Sequence, residues 1–289
     1  MIVIIGAGKF GQAVSKLLKA ENVLVNIEAD GTYSADSIEK IKNADRLILC
    51  VPSSALAGCV DLISGVVRPD AKLLTCVKGL YDGLVTPSQL VKSKLKNPVA
   101  ALMGPNLSGE IILGRPAMAC IAGDDARSWV ELFDSPAFRA IVDDDVVGIE
   151  FGGAIKNIVA LGAGLFDGYY GDNACNAMGS VASFCLREIE LIYRNKSDSC
   201  IPSLSFIGDL FATCMSETSR NHDFGHKFGA ALRLKQPLPL PETTVEGYRT
   251  IQIVQKYAEQ HNLKIPVITA LYNVFFKKGK VEDVVRSWG

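Results

Sequence analysis

Gly6-Ala7-Gly8-Lys9-Phe10-Gly11 constrains this chain more than any other segment, because it follows the apolar run Ile2–Ile5 directly and opens a stretch of helical period. A strand that turns through glycines into a helix is the first unit of a parallel βαβ fold. Gly6 permits the tight turn, Gly8 lets a pyrophosphate approach the backbone, and Gly11 lets the helix pack closely with its positive end toward the anion. A glycine-rich turn without a ligand is the alternative; the strand before it and the helix after it argue against that reading.

In such a site an acidic residue about 20 positions further on bonds the adenosine ribose. Glu28 and Asp30, after the strand expected at 23–27, are the candidates, and no arginine stands nearby to receive a 2′-phosphate. NAD is therefore the expected cofactor, with NADP as the alternative.

Up to about residue 145, short apolar runs alternate with helical segments, which predicts a doubly wound α/β sheet. The expected strands are Ile2–Ile5, 23–27, 47–51, 73–77, Val99–Met103, 118–121 and 140–142. Between the first two, Ala13, Val14, Leu17 and Leu18 form one apolar helix face. Strand signals then stop. Stretches 153–166, 179–193, 244–260 and 267–276 read as helices, the third preceded by Pro237, Pro239 and Pro241 and by threonines at 243 and 244 suited to cap it. A Rossmann-type domain over 1–145 followed by an all-helical domain over 146–289 is the expected architecture.

Composition excludes several partners. Thirty basic and thirty-one acidic residues leave a net charge of -1, so no global field recommends nucleic acid or an anionic membrane. The eight cysteines are scattered without CxxC spacing, which speaks against a bound metal and for free thiols in a reducing cytosol. The N-terminus lacks the marks of a signal peptide, and no run reaches the roughly 20 uninterrupted apolar residues of a membrane span. A cytoplasmic protein without membrane insertion is expected.

Candidate chemistry begins with Glu150-Phe151-Gly152-Gly153-Ala154-Ile155-Lys156-Asn157, which sets one lysine into a small, apolar stretch. Burial lowers a lysine pKa and a neighbouring carboxylate raises it, the balance a proton-transfer group needs. A lysine snorkelling from a packed helix is the competing reading. Lys78 stands at the end of an expected strand, on the edge where ligands of open α/β sheets lie. Gly208-Asp209-Leu210 with Thr213-Cys214, followed by Ser219-Arg220-Asn221, gathers a carboxylate, hydroxyls, a guanidinium and an amide. That set suits a phosphate monoester, and equally an exposed capped helix start. The only histidines are His222, His226 and His261. A hydride transfer from an alcohol would therefore need another base, for which Lys156 is the best candidate, while His222 reads as a solvated loop residue.

At these motifs, joined by Val77-Lys78-Gly79, Gly104-Pro105-Asn106, Gly171-Asp172-Asn173 and Val245-Glu246-Gly247, the chain resembles the NAD(P)-dependent glycerol-3-phosphate dehydrogenase family over nearly its whole length. The resemblance implies reversible reduction of dihydroxyacetone phosphate to glycerol 3-phosphate, feeding glycerophospholipid synthesis. It implies Lys156 as proton acceptor in the oxidation direction, with Lys78 and Asp209 at the reacting end of the substrate. Gly104, Asn106, Asn157 and Thr213 match substrate-side positions, and Ser219, Arg220 and Asn221 match the phosphate contacts. Gly6, Gly8, Lys9, Phe10, Gly11, Lys78, Ser108, Arg220 and Glu246 match cofactor-side positions. A homodimer is also implied.

The chain departs from the family pattern in its short stretch 28–45, in Lys9-Phe10 and in the loop Asn106-Leu107-Ser108-Gly109-Glu110. Another two-domain β-hydroxyacid dehydrogenase and a non-catalytic nucleotide sensor are the alternatives.

Overall fold

The computed structural model describes residues 1–28, 32–171, 174–197, 203–214, 219–242 and 244–289. By compactness the chain forms two units, one of Met1–Gly79, Val85–Phe151 and Ser203–Ser205, the other of Leu80–Leu84, Gly152–Pro202 and Phe206–Gly289.

The first unit opens β1 (Ile2–Ile5), α1 (Lys9–Leu17), β2 (Asn22–Val25), α2 (Ala35–Lys42), β3 (Arg46–Leu49) and α3 (Leu56–Ser64). It continues β4 (Lys72–Thr75), α4 (Pro87–Lys94), β5 (Val99–Met103), α5 (Ser108–Ile112), β6 (Ala117–Gly123), α6 (Ala126–Phe133) and β7 (Phe138–Asp143). All seven expected strands exist, in one sheet of order β2-β1-β3-β4-β5-β6-β7. Every residue of β1 and β5 is buried, which explains their unbroken apolar runs. On one face Ile4, Ile48, Leu74 and Leu102 pack with Ala13 and Val14 of α1 and with Trp129 and Phe133 of α6.

One pairing departs from the expected parallel pattern, since β6 runs antiparallel to β5, with Met103 opposite Cys120. The connection 104–116 holds only the five-residue α5, which packs on α1. Without a helix to carry the chain back along the sheet face, the next strand returns in the opposite sense.

The second unit is built from helices. They begin with α7 (Val146–Tyr170), whose first residues belong to the sheet unit, and continue α8 (Cys175–Lys196), α9 (Leu204–Cys214), α10 (Arg220–Leu234), α11 (Glu246–Gln260), α12 (Pro266–Phe276) and α13 (Val281–Arg286). Contrary to the expectation from uninterrupted runs, α7 is long and apolar enough to cross a membrane by length and composition. Its most apolar window is 89% buried, so its apolarity serves a protein core. Small residues let α10 lie against it. A Cβ on Gly164 would stand 2.1 Å from the His222 carbonyl oxygen, and one on Gly225 would stand 2.3 Å from that of Leu161.

The start of α11 corrects another expectation. Its N-cap is Val245, with no side-chain capping bond; Thr244 is exposed, and Thr243 lies outside the described residues. Gly247 explains the change. A Cβ there would stand 2.3 Å from the Asn157 carbonyl oxygen, and its N–H donates to Asn221 Oδ1 at 2.8 Å. A distant amide thus takes the capping role that a local threonine was expected to fill.

Candidate active site

The glycine turn is a backbone construction. Gly6 has φ 110°, and a Cβ on it would stand 2.6 Å from the Cys50 carbonyl oxygen, so no other residue fits between the ends of β1 and β3. These strands are neighbours although β2 comes between them in sequence, which makes this edge the topological switch point of the sheet. Gly8 precedes α1, and nothing lies within 4 Å of where its Cβ would be. Gly11 is pressed against the Gly6 carbonyl, at 1.8 Å from its would-be Cβ. An open backbone at the N-terminus of a nine-residue helix fits a dinucleotide pyrophosphate.

Around the turn, Lys9 is exposed, whereas Phe10 is half-buried against the sheet core and offers a ligand chiefly its backbone. Glu28 is exposed and lies three residues beyond β2, while Asp30 falls outside the described residues.

On the same edge, Lys78 Nζ donates to the Gly104 carbonyl at 2.9 Å. Gly104 takes φ 156°, with its would-be Cβ 2.5 Å from the Met118 carbonyl oxygen. Asn106, 5% exposed, turns its amide nitrogen to that same carbonyl at 2.8 Å and to Pro105 O at 3.2 Å. Ser108 begins α5 and is half-buried.

The helical unit holds a side-chain construction. Lys156 of α7 donates to Asp209 Oδ1 and to Thr213 Oγ1, each at 2.5 Å, and the side chains of the lysine and aspartate are 6% and 2% exposed. Asp209 and Thr213 stand one turn apart on α9, which places carboxylate and hydroxyl on one face. Lys156 therefore does not snorkel to water. Nearby, burial pushes the Cys214 thiol up to about 11, against the attraction of the Lys156 cation.

A second polar junction adjoins the first. Asn221 Nδ2 donates to Asn157 Oδ1 at 2.9 Å while its Oδ1 accepts from Gly247, so one amide ties α7 to the beginning of α11. Ser219 caps α10 by accepting from His222 N at 3.3 Å. Arg220, the first residue of α10, is exposed, and Glu246 at the start of α11 is half-buried. Of the Ser219-Arg220-Asn221 motif, only Arg220 is exposed; Ser219 and Asn221 hold helix ends. Asp172 and Asn173 lie outside the described residues.

His222 is not the solvated loop residue expected. Its side chain is 14% exposed, with Nε2 buried and 3.9 Å from Asp167 Oδ2. Burial pulls its pKa down, and Asp167 opposes that shift. The tight crossing of α7 and α10 shields most of it.

Two buried carboxylates escaped the sequence reading. Glu150 accepts from the Ser88 N–H at 2.9 Å and its hydroxyl at 2.5 Å, anchoring the start of α7 to α4, and burial raises its pKa to about 7. Glu188 accepts from the N–H groups of Val267 and Ile268, both at 2.8 Å, and so caps α12. Glu150 is a lone acid among apolar residues, which was the available signal; Glu188, beside Arg187 and close to Glu190, carries no such mark. Seven described cysteines are free thiols.

Residues 25–128 match the profile of the NAD-dependent glycerol-3-phosphate dehydrogenase N-terminus, and residues 145–286 that of its C-terminus. The chain is 31% identical over 281 residues to glycerol-3-phosphate dehydrogenase (NAD(P)+) of Synechococcus sp., covering 94% of this chain and 90% of that protein. It belongs to the glycerol-3-phosphate dehydrogenase family. The namesake from Moorella thermoacetica is 30% identical over 317 residues, covering 99% of this chain and 94% of its own. Among solved structures, glycerol-3-phosphate dehydrogenase of Coxiella burnetii shares the fold, with a TM-score of 0.83 at 23% identity over 99% of this chain and 97% of that one. The family and the fold class expected from the ordered motifs are both borne out.

Proposed function

We propose that this member of the glycerol-3-phosphate dehydrogenase family is an NAD(P)-dependent enzyme that interconverts dihydroxyacetone phosphate and sn-glycerol 3-phosphate. The observation that carries the reading is the buried lysine, aspartate and threonine cluster of the helical unit. The bound nicotinamide supplies or accepts the hydride. Lys156 gives a proton to the developing alkoxide in reduction and takes it back in oxidation. Asp209 holds the ammonium and offsets its charge across the cycle, and Thr213 fixes its direction. Lys78 adds a second cation for the alkoxide oxygen, with Gly104, Asn106 and Asn157 shaping the substrate's surroundings.

Arg220 grips the phosphate through two parallel hydrogen bonds, and Ser219 and Asn221 set the helix start from which it projects. Gly6, Gly8, Lys9, Phe10, Gly11 and Ser108 receive the dinucleotide, joined by Lys78, Arg220 and Glu246. In this reading residues 1–145 bind the cofactor and 146–289 the substrate, in a cytoplasmic homodimer that feeds glycerophospholipid synthesis. Mixing the protein with dihydroxyacetone phosphate and either NADH or NADPH is expected to bleach the reduced-nicotinamide absorbance. Silence with both cofactors would overturn the proposal.

A further inference from the structure

After Gly79 the chain leaves the sheet unit, contributes Leu80–Leu84 to the helical unit and returns at Val85. Lys78 lies two residues before this excursion, which is held along its length. Leu80 and Leu84 are 1% and 0% exposed. The Arg249 guanidinium of α11 lies over the Tyr81 ring, 5.4 Å from its centroid. Lys256 of the same helix bonds Asp82 at 2.7 Å, and Lys196 of α8 donates to the Gly83 carbonyl at 3.4 Å.

Gly83 and Leu84 both take left-handed φ, 74° and 57°. A bulky residue in that region is strained and persists only where its surroundings over-determine it. The Asp82–Lys256 pair is too exposed to supply much of that constraint. Two buried leucines and the cation over Tyr81 supply it instead.

We infer that Arg249, acting through Tyr81, is a positioning residue for Lys78: its grip on Leu80–Leu84 fixes the backbone from which that lysine extends. A lysine has a long flexible stem, so the angle of its own backbone decides where the ammonium can reach. The inference rests on the proposed function, in which Lys78 meets the substrate.

The test is a double-mutant cycle with dihydroxyacetone phosphate and NADH, with thermal unfolding recorded for each protein. Tyr81→Ala and Arg249→Ala are each expected to lower kcat/KM by about tenfold to a hundredfold. Added to Lys78→Ala, each is expected to cost no more than about twofold further, because the group it positions is gone. Arg249→Lys keeps a cation over the ring and recovers most of the loss. Losses that multiply in the Lys78→Ala background, or single variants with wild-type kcat/KM, overturn the inference. Should Tyr81→Ala fail to fold, Arg249→Ala carries the test.

A readout without turnover separates this inference from the proposed function. Acylation of Lys78 by an amine reagent, followed by mass spectrometry, is expected to be faster in Arg249→Ala, and an unchanged rate overturns the positioning role. An unaltered protein without activity overturns the proposed function instead.

Discussion

The glycine turn at β1–α1 and the lysine cluster of α7 and α9 are built in opposite ways. The first uses six consecutive residues and works through backbone: a left-handed Gly6, an open Gly8 and a Gly11 pressed on its neighbour. The second joins side chains 53 and 57 positions apart, and each of its members is buried. A backbone site is local, so its residue types announce it. A side-chain site depends on helices meeting, so no single motif does.

Because the cluster has no local substitute for its parts, the largest loss is expected there. Lys156→Ala should lower kcat by roughly 10²–10⁴-fold while leaving dinucleotide affinity, followed by fluorescence titration, close to wild type. Equal loss of affinity would show that the two sites are less separable than their construction suggests. Removing only the partner charge probes the same cluster through stability. Asp209→Ala leaves a buried cation uncompensated and is expected to cost about 3–5 kcal/mol in chemical denaturation.

The glycine turn makes a sharper contrast within itself. Gly6→Ala forces a side chain into a left-handed backbone against the Cys50 carbonyl, so it should lower the melting temperature. Gly8→Ala meets open space, so it should leave melting unchanged and weaken dinucleotide binding alone. A drop in melting temperature for Gly8→Ala would break the distinction between a glycine kept for folding and one kept for a ligand.

The smallest effect concerns Glu150, whose pKa rises from the usual 4.5 to about 7 on burial. The folded protein then holds a proton that the unfolded chain has released, so stability should fall as pH climbs from about 4.5 to about 7. Over that window Glu150→Gln should flatten the slope by up to about 1.4 kcal/mol per pH unit. Parallel profiles for the two proteins would show that Glu150 titrates normally.

Much of the molecule was legible before its structure. Strand positions followed from apolar runs because sheet strands covered on both faces admit little else. Lys156 was conspicuous because a charge among small apolar residues has few explanations. Other features were illegible for a shared reason. The antiparallel β6 depends on where α5 packs, and the cap of α11 comes from Asn221, 26 residues away from Gly247. His222 is drawn largely out of solvent at a helix crossing that its polar neighbours conceal.

By itself, then, the sequence determined the glycine turn, the succession of strands and helices, and the residue types that chemistry here requires, because each depends on interactions within a few positions along the chain. Only the tertiary structure decided which of them touch. It gave Lys156 an aspartate and a threonine, committed Ser219 and Asn221 to helix ends, and handed Leu80–Leu84 to α11. Contacts between distant residues are selected by the burial of whole faces, and neighbours in sequence carry little record of that choice.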